Sequence, residues 1–149
     1  MPVVKLTSAE MMTAGLTGVI RRVSSLQNEY NSGIYHAHGN EWSTDIDGAA
    51  AEMAVAKHLN KYWGSHVNSM KAPDVDTLQV RSTHHKNGCL IIRPHDNPDA
   101  KYVLVTSAAP EYNIVGWMWG RDAMQDKFWR TDLKGLDAWW VPQQQLIEM

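Results

Sequence analysis

The chain has 149 residues, of which 44% are hydrophobic and 20% charged, and its formal net charge at neutral pH is -2. This length and composition are typical of one globular domain with a substantial core. The charge balance excludes a global basic field, so a nucleic-acid partner would require a local basic patch or a metal ion. The single cysteine, Cys89, excludes an internal disulfide framework and favours a reducing compartment.

The remaining composition bears on compartment and packing. The first residues lack the apolar run of a signal peptide, and no segment reaches the length of a membrane span, so we expect a cytoplasmic protein. Cys89 lies in an apolar run, which favours packing over nucleophilic chemistry. Four tryptophans near the C-terminus predict rigid packing or a contact surface: Trp117, Trp119, Trp139 and Trp140.

A first helix is predicted from Thr7 or Ser8, either of which can cap it, to about Tyr30. Its apolar residues recur at helical spacing: Met12, Leu16, Val19, Ile20, Val23 and Leu26. Three cations lie on its polar face, which we interpret as solvated rather than as a DNA contact: Lys5, Arg21 and Arg22. In the loop that follows, His36 and His38 are expected to be surface residues.

The clearest helix is predicted over residues 44–63, with Thr44 or Asp45 as N-cap and Gly64 as the stop. Glu52 lies on its apolar face, with four residues at helical spacing: Ala49, Ala56, Leu59 and Trp63. A buried carboxylate requires a cation, which Lys57, an arginine from the sheet or a metal ion would supply. A structural ion pair and a functional ligand are both open for Glu52.

Several strands are predicted in the second half of the chain. Residues 77–83 alternate, with Leu78, Val80 and Ser82 on one side and Gln79, Arg81 and Thr83 on the other. The dipeptide Asn87-Gly88 predicts a hairpin into an apolar strand at residues 89–92, expected to be central and covered on both faces. Other strands are predicted at residues 66–70, 102–106, 112–119 and 138–141, with a short helix at residues 120–129.

This order of elements predicts one domain of α+β or mixed α/β class, with a single central mixed sheet flanked by helices. Within it, residues 1–43 form an N-terminal helix and loop, residues 44–120 the core, and residues 121–149 a C-terminal cap. Gly116, inside a strand, predicts the close approach of another backbone segment.

Four residues suggest a site for phosphodiester hydrolysis, namely Glu52, Asp74, Gln79 and Arg81. Such chemistry uses a hard cation, and one or two carboxylates suffice to hold Mg²⁺. Asp74, just before a strand, can supply one carboxylate, and Gln79 offers a carbonyl oxygen. Arg81 points to the same side as Gln79 and can bind the phosphate. Asp76 is an alternative to Asp74, or a second ligand.

These residues lie in motifs that resemble the PD-(D/E)XK nuclease superfamily: Glu52 in GAAAEMAVAKHLN, then Pro73-Asp74, then Gln79-Val80-Arg81. The runs NGCLIIRPHD, YVLVT and IVGWMWG look like small phage- or prophage-encoded proteins of this group, so the likeness covers roughly residues 48–120. The resemblance implies a restriction-endonuclease-like core, Mg²⁺ or Mn²⁺ dependence, a DNA substrate and a homodimer. It also implies that Glu52, Asp74 and Gln79 bind the metal and that Arg81 is catalytic.

Two positions depart from the superfamily pattern. Gln79 stands where an acid is usual and brings no charge, so the affinity for metal should fall. Arg81 stands where lysine is usual; it cannot act as a base but can bind phosphate through two hydrogen bonds. The alternative is therefore a catalytically inactive DNA- or protein-binding protein with the same fold, in which Glu52 pairs with Arg81 and no divalent ion binds.

Weaker alternatives involve histidines and tryptophans. His84, His85 and His95-Asp96 flank the predicted hairpin strand and suggest a histidine-based metal site, to which at most one of the adjacent pair contributes. The tryptophan pairs at Trp117/Trp119 and Trp139/Trp140 suggest base stacking, but packing or subunit assembly is the preferred interpretation.

Overall fold

The computed structural model describes residues 1–28, 41–67 and 72–149. The predicted loop histidines His36 and His38 lie outside these ranges, as do the predicted end of the first helix at Tyr30 and most of the strand predicted at residues 66–70. Residues 66 and 67, which are described, do not belong to a strand.

Helix α1 (Ser8–Gln27) begins after Thr7, whose side-chain oxygen accepts a hydrogen bond from the Glu10 amide at 3.2 Å, which confirms the predicted cap. The helix packs through small and polar residues, which are buried: Ala14, Thr17, Gly18 and Arg22. The apolar stripe predicted from the spacing is instead largely exposed, with Met12 at 74% and Leu16 at 62%.

The contact between the two long helices explains which face of α1 packs. Helix α2 (Glu41–Leu59) approaches so closely that a Cβ atom added at Gly18 would lie 2.4 Å from the Cα atom of Ile46. A face of small residues permits this approach, whereas a stripe of leucine and isoleucine would hold the helices apart. The interpretation of Arg22 as a solvated cation is wrong, because it is 4% exposed and forms an ion pair with Asp45 at 3.4 Å.

Helix α2 starts before the predicted Thr44 and ends before the predicted Trp63. It ends where Asn60 adopts a left-handed conformation with φ of 53° and the Lys61 amide donates to the Ala56 carbonyl oxygen at 2.9 Å. Asparagine is one of the few residues that enter this conformation readily, so it stops the helix about one turn before the predicted glycine.

The first sheet contains four strands in the order β1 (Val3–Lys5), β5 (Glu111–Trp119), β4 (Lys101–Ala108) and β2 (Leu78–Thr83). Strands β2 and β4 run parallel, and the other neighbours are antiparallel, which confirms the predicted mixed sheet. Strand β1 had no predicted counterpart. Strand β2 lies at the edge of the sheet, next to the predicted site.

A second, antiparallel sheet contains β3 (Leu90–Ile92), β7 (Ala138–Val141) and β6 (Trp129–Arg130). The prediction of a single sheet is therefore wrong. So is the hairpin between the strands that flank Asn87-Gly88, because β3 pairs with β7 and not with β2. The turn itself does form, with the Gly88 amide donating to the His85 carbonyl oxygen at 2.9 Å.

The first sheet separates two hydrophobic cores. The first core lies between the sheet and the helices and includes Ala50, Ala54, Val55, Val103 and Ile114. The second lies between the two sheets and includes Leu90, Ile92, Tyr102, Leu104 and Val141. Strand β3 is an edge strand that buries only this side, since Ile91 is half-buried, so the prediction that it is central and covered on both faces is wrong.

The C-terminal part closes the second core. Helix α3 (Gly120–Ala123) and a 3₁₀ turn (Asp126–Phe128) replace the longer predicted helix, and a second 3₁₀ turn (Gln143–Gln145) follows β7. A Cβ atom added at Gly116 would lie 2.7 Å from the Ile147 carbonyl oxygen, which confirms the predicted close approach. Among the described residues, no helix has both the length and the apolarity needed to cross a membrane.

Candidate metal and phosphate site

Glu52 is held on the inner side of α2 by a cation from α1. It is 4% exposed, and Arg21 donates from Nη1 to its Oε2 and from Nη2 to its Oε1, the latter at 3.3 Å. Arg21 also donates from Nε to the His66 carbonyl oxygen at 2.6 Å. The interpretation of Arg21 as a solvated cation is therefore wrong. Lys57, another expected partner, binds Glu10 at 2.9 Å instead.

A second carboxyl group faces Glu52. The pKa of Glu52 is raised to about 7, mainly because the carboxyl group is buried, although the hydrogen bonds from Arg21 lower it. The negative charge and the proximity of Asp74 contribute to this raised pKa. Two neighbouring carboxyl groups share a proton or hold a cation between them, because two adjacent negative charges repel each other.

Asp74 is fixed by a tight turn at the start of β2. The Leu78 carbonyl oxygen accepts from the amides of Asp74 and Val75, at 2.8 and 3.2 Å, and the Asp74 Oδ2 atom accepts from the Val80 amide at 2.6 Å. The bridge between Val75 and Leu78 is antiparallel, so Asp74 and Gln79 lie opposite each other despite their short spacing.

The neighbouring acid, Asp76, occupies the turn with φ of 53° and is half exposed. Its carboxylate lies 3.9 Å from the Lys61 ammonium group. The structure therefore brings Asp74 to Glu52 and directs Asp76 to an exposed ion pair.

Gln79 and Arg81 point away from the helices, as the alternation predicted, while Leu78 and Val80 pack into the first core. Gln79 donates from Nε2 to the Ala72 carbonyl oxygen at 3.2 Å, which fixes its amide. Thr83, the predicted polar neighbour, accepts from the His85 amide at 3.2 Å and lines a different cavity.

Arg81 binds an acid that the sequence did not single out for it. Its Nη2 atom donates to the Asp96 Oδ1 atom at 2.9 Å, and its guanidinium lies 5.1 Å from the centre of the Tyr102 ring. The predicted pair of Arg81 with Glu52 is therefore wrong. In the structure, Glu52 pairs with Arg21 and Arg81 pairs with Asp96.

An open groove of about 730 Å³ lies beside β2, lined by Gln79, Arg81, Arg93, His95, Asp96, Asn97 and Tyr102. Burial raises the pKa of the Tyr102 hydroxyl, and the charges of Asp96 and Asp74 raise it as well, while Arg81 lowers it. The charge of Asp74 raises the pKa of both Glu52 and Tyr102, so this carboxylate lies near Glu52 and also near the groove residue Tyr102.

The candidate donors for a cation are the carboxylates of Glu52 and Asp74 and the amide oxygen of Gln79, whose side chain points away from the helix that carries Glu52. Across residues 1–28, 41–67 and 72–149, no group of three or more histidine, cysteine or acidic side chains has the arrangement of a metal site. The histidine-based site is therefore not formed by the described residues. His84 bonds to Asp47 at 2.6 Å and lies 3.5 Å from the Ser107 hydroxyl, and His95 lies in the groove.

Arg21 escaped the sequence analysis as a site member, and Asp96 was named only with His95 as a candidate for a metal site. Arg21 was missed because it was assigned to a solvated polar face, opposite the apolar stripe of α1. In the structure that stripe is largely exposed, and Arg21 lies on the side of the helix that meets Glu52. Asp96 follows a turn, and its pairing with Arg81 has no signal in spacing. Cys89 is half-buried, and burial raises the pKa of its thiol, in accordance with the expected packing role.

Comparisons of this chain with protein-family models, curated proteins and solved structures found no match. The geometry described above is that of a small mixed α+β domain in which a buried and a half-buried carboxylate lie near a groove that contains arginines.

Proposed function

We propose that this chain is a small metal-dependent DNA nuclease of the PD-(D/E)XK type, with a restriction-endonuclease-like core. The observation that carries the proposal is the carboxyl pair of Glu52, which is buried, and Asp74, which is half-buried and lies close enough to raise the pKa of Glu52, at the edge strand of a mixed sheet. Two ionised carboxylates this close repel each other, and a divalent cation bound between them offsets that repulsion.

The residues present fit a hard cation of the Mg²⁺ or Mn²⁺ type. Glu52 and Asp74 would supply carboxylate oxygens and Gln79 its amide oxygen, all ligand types that Mg²⁺ accepts. A bound ion supplies polarisation of the phosphate and activation of water at neutral pH. The turn at residues 74–78 holds Asp74, and Arg21 orients Glu52 through two hydrogen bonds.

Arg81 would bind the phosphate next to the acid pair. Its side chain is 36% exposed in the groove, and Asp96 holds it by one nitrogen, so the other donors of the guanidinium are available to an oxyanion. The guanidinium stays protonated, so its role is to bind the phosphate and stabilise charge rather than to act as a base.

The alternative is a catalytically inactive protein that binds DNA or protein with the same fold. One observation favours it. Arg21 on α1 already forms an ion pair with Glu52 on α2, so the charge of this carboxylate is compensated by a structural salt bridge without a metal ion. This differs from the sequence-based version, in which Arg81 was the partner.

The two functions are separated by cleavage assays with Mn²⁺ on plasmid, linear duplex, single-stranded and branched DNA. We expect the wild type to cut and Glu52→Gln and Asp74→Ala to be inactive while folded. Asp76→Asn, which removes a nearby exposed carboxylate, is the matched control and should retain activity. If no substrate is cut and the Glu52 and Asp74 variants only melt earlier, the structural alternative is correct.

A further inference from the structure

The groove beside β2 carries an excess of positive charge. Among the described residues, the Arg93 guanidinium makes no hydrogen bond or ion pair, and only its backbone amide is held, by the Asp96 Oδ2 atom at 2.8 Å. His95 is 76% exposed. The one groove acid, Asp96, is 10% exposed and already binds Arg81. Arg93 is therefore a cation that is held in a cleft without an internal partner.

We infer that this groove binds the backbone of an unpaired DNA strand, with Arg93 on a phosphate next to the one at Arg81; the inference rests on the proposed function. The arginine fork suits the oxygens of a phosphate. The volume of about 730 Å³ suits one strand over about one or two nucleotides. A duplex presents its phosphates on a convex surface, which a cleft of this size does not enclose.

The position of the groove supports this assignment. Gln79 and Arg81 belong both to the groove wall and to the candidate site, so a strand lying in the groove would contact two of the four candidate residues. Tyr102 closes the floor, with 2% exposure and its hydroxyl donating to the Asn97 carbonyl oxygen at 3.2 Å. Tyr102 is therefore held by packing and by a hydrogen bond, and the arginines that line the groove supply the attraction for phosphate.

The test measures binding apart from cleavage. Fluorescence anisotropy with a labelled single-stranded oligonucleotide and its duplex, in EDTA and with the Glu52→Gln protein, reports affinity without turnover. We expect the single strand to bind more tightly than the duplex. Arg93→Gln should weaken single-strand binding about five- to tenfold and reduce the salt slope by about one. Arg130→Gln, an exposed arginine on β6 that pairs with Asp132, is the matched control.

The outcomes distinguish this inference from the proposed function. Equal or tighter binding of the duplex, or an Arg93→Gln protein that binds as the wild type does, overturns the groove assignment even if the protein cuts DNA. Selective single-strand binding that depends on Arg93, without cleavage by the wild type in Mn²⁺, keeps the groove and overturns the nuclease. Circular dichroism and melting curves confirm that each variant is folded.

Discussion

The guanidinium of Arg21 on α1 donates hydrogen bonds to both carboxylate oxygens of Glu52 on α2. This pair links the packing of the two helices to the candidate site, because the same carboxyl group also faces Asp74. Arg21 therefore both orients Glu52 and partly neutralises an acid pair whose second member is supplied by the start of β2.

Removing Arg21 should leave an uncompensated buried carboxylate. We expect Arg21→Gln to lower the free energy of unfolding by about 2 kcal/mol at pH 8, where Glu52 is ionised. The loss should be smaller at pH 5, because a protonated Glu52 needs no cation. Chemical denaturation at both pH values measures it. In the double variant with Glu52→Gln, the effect of Arg21→Gln should shrink at pH 8; equal losses in both backgrounds would show that the two side chains are not coupled.

Glu52 should make stability fall as the pH rises towards neutrality. Its folded pKa of about 7 lies above the ordinary value of 4.5, so between these pH values the folded state keeps a proton that the unfolded state has released. Stability is therefore lost as the pH rises through this window, by on the order of 3 kcal/mol from this group. We expect urea unfolding from pH 4.5 to 8 to show this fall in the wild type and a weaker one in Glu52→Gln.

A control for this pH effect is Glu10, whose pKa is lowered because it accepts a hydrogen bond from Lys57. Glu10→Gln should change the pH profile in the opposite direction and by much less, since this carboxylate is partly exposed. A Glu52→Gln protein with the full pH dependence of the wild type would contradict the assignment of the titration to Glu52.

The sequence predicted the helices and most strands, but it did not decide which faces and partners they use. The apolar spacing of α1 identified the helix, yet the close approach of Gly18 to Ile46 selected the opposite face for packing. The Asn87-Gly88 turn was also recognised. The next strand pairs with β7, far along the chain, because Leu90 and Ile92 are buried in the second core. Local signals do not specify such distant partners.

The candidate site was likewise predicted only in part from the sequence. Glu52 and Asp74 were found because a carboxylate on an apolar helix face, and another just before a strand, are locally unusual. Arg21 was missed, since its partner depends on how α1 and α2 cross. Asp96 was missed as the partner of Arg81 for a similar reason: the two are brought together by the fold of the loop after β3 and not by sequence spacing.

The amide at Gln79 should set the strength of metal binding, if the proposed site holds a cation. Gln79→Glu adds a third negative charge beside Asp74, so we expect lower stability in EDTA and tighter Mg²⁺ binding than in the wild type. Thermal melting with and without Mg²⁺ measures both effects, since a ligand at a hundred times its Kd stabilises by about 2.7 kcal/mol. Gln79→Met, of similar size but without an oxygen ligand, should bind Mg²⁺ more weakly. Equal Mg²⁺ effects on all three proteins would exclude Gln79 as a ligand.

The crossing of α1 and α2 should depend on Gly18 far more than on its neighbour Gly15. A Cβ atom at position 18 would meet backbone atoms of Ile46 at 2.4 Å, whereas nothing lies within 4 Å of a Cβ atom at position 15. We expect Gly18→Ala to lower the free energy of unfolding by about 2 kcal/mol or more, because the helices must move apart. Gly15→Ala should be neutral or stabilise by up to about 1 kcal/mol, since alanine favours a helix. Urea denaturation of the two variants gives both values.

If the two substitutions had the same effect, the contact between Gly18 and Ile46 would not govern the crossing angle of the two helices. A displaced α2 would also move Glu52 away from Asp74, so Gly18→Ala should weaken Mg²⁺ binding as well, although it lies outside the acid pair.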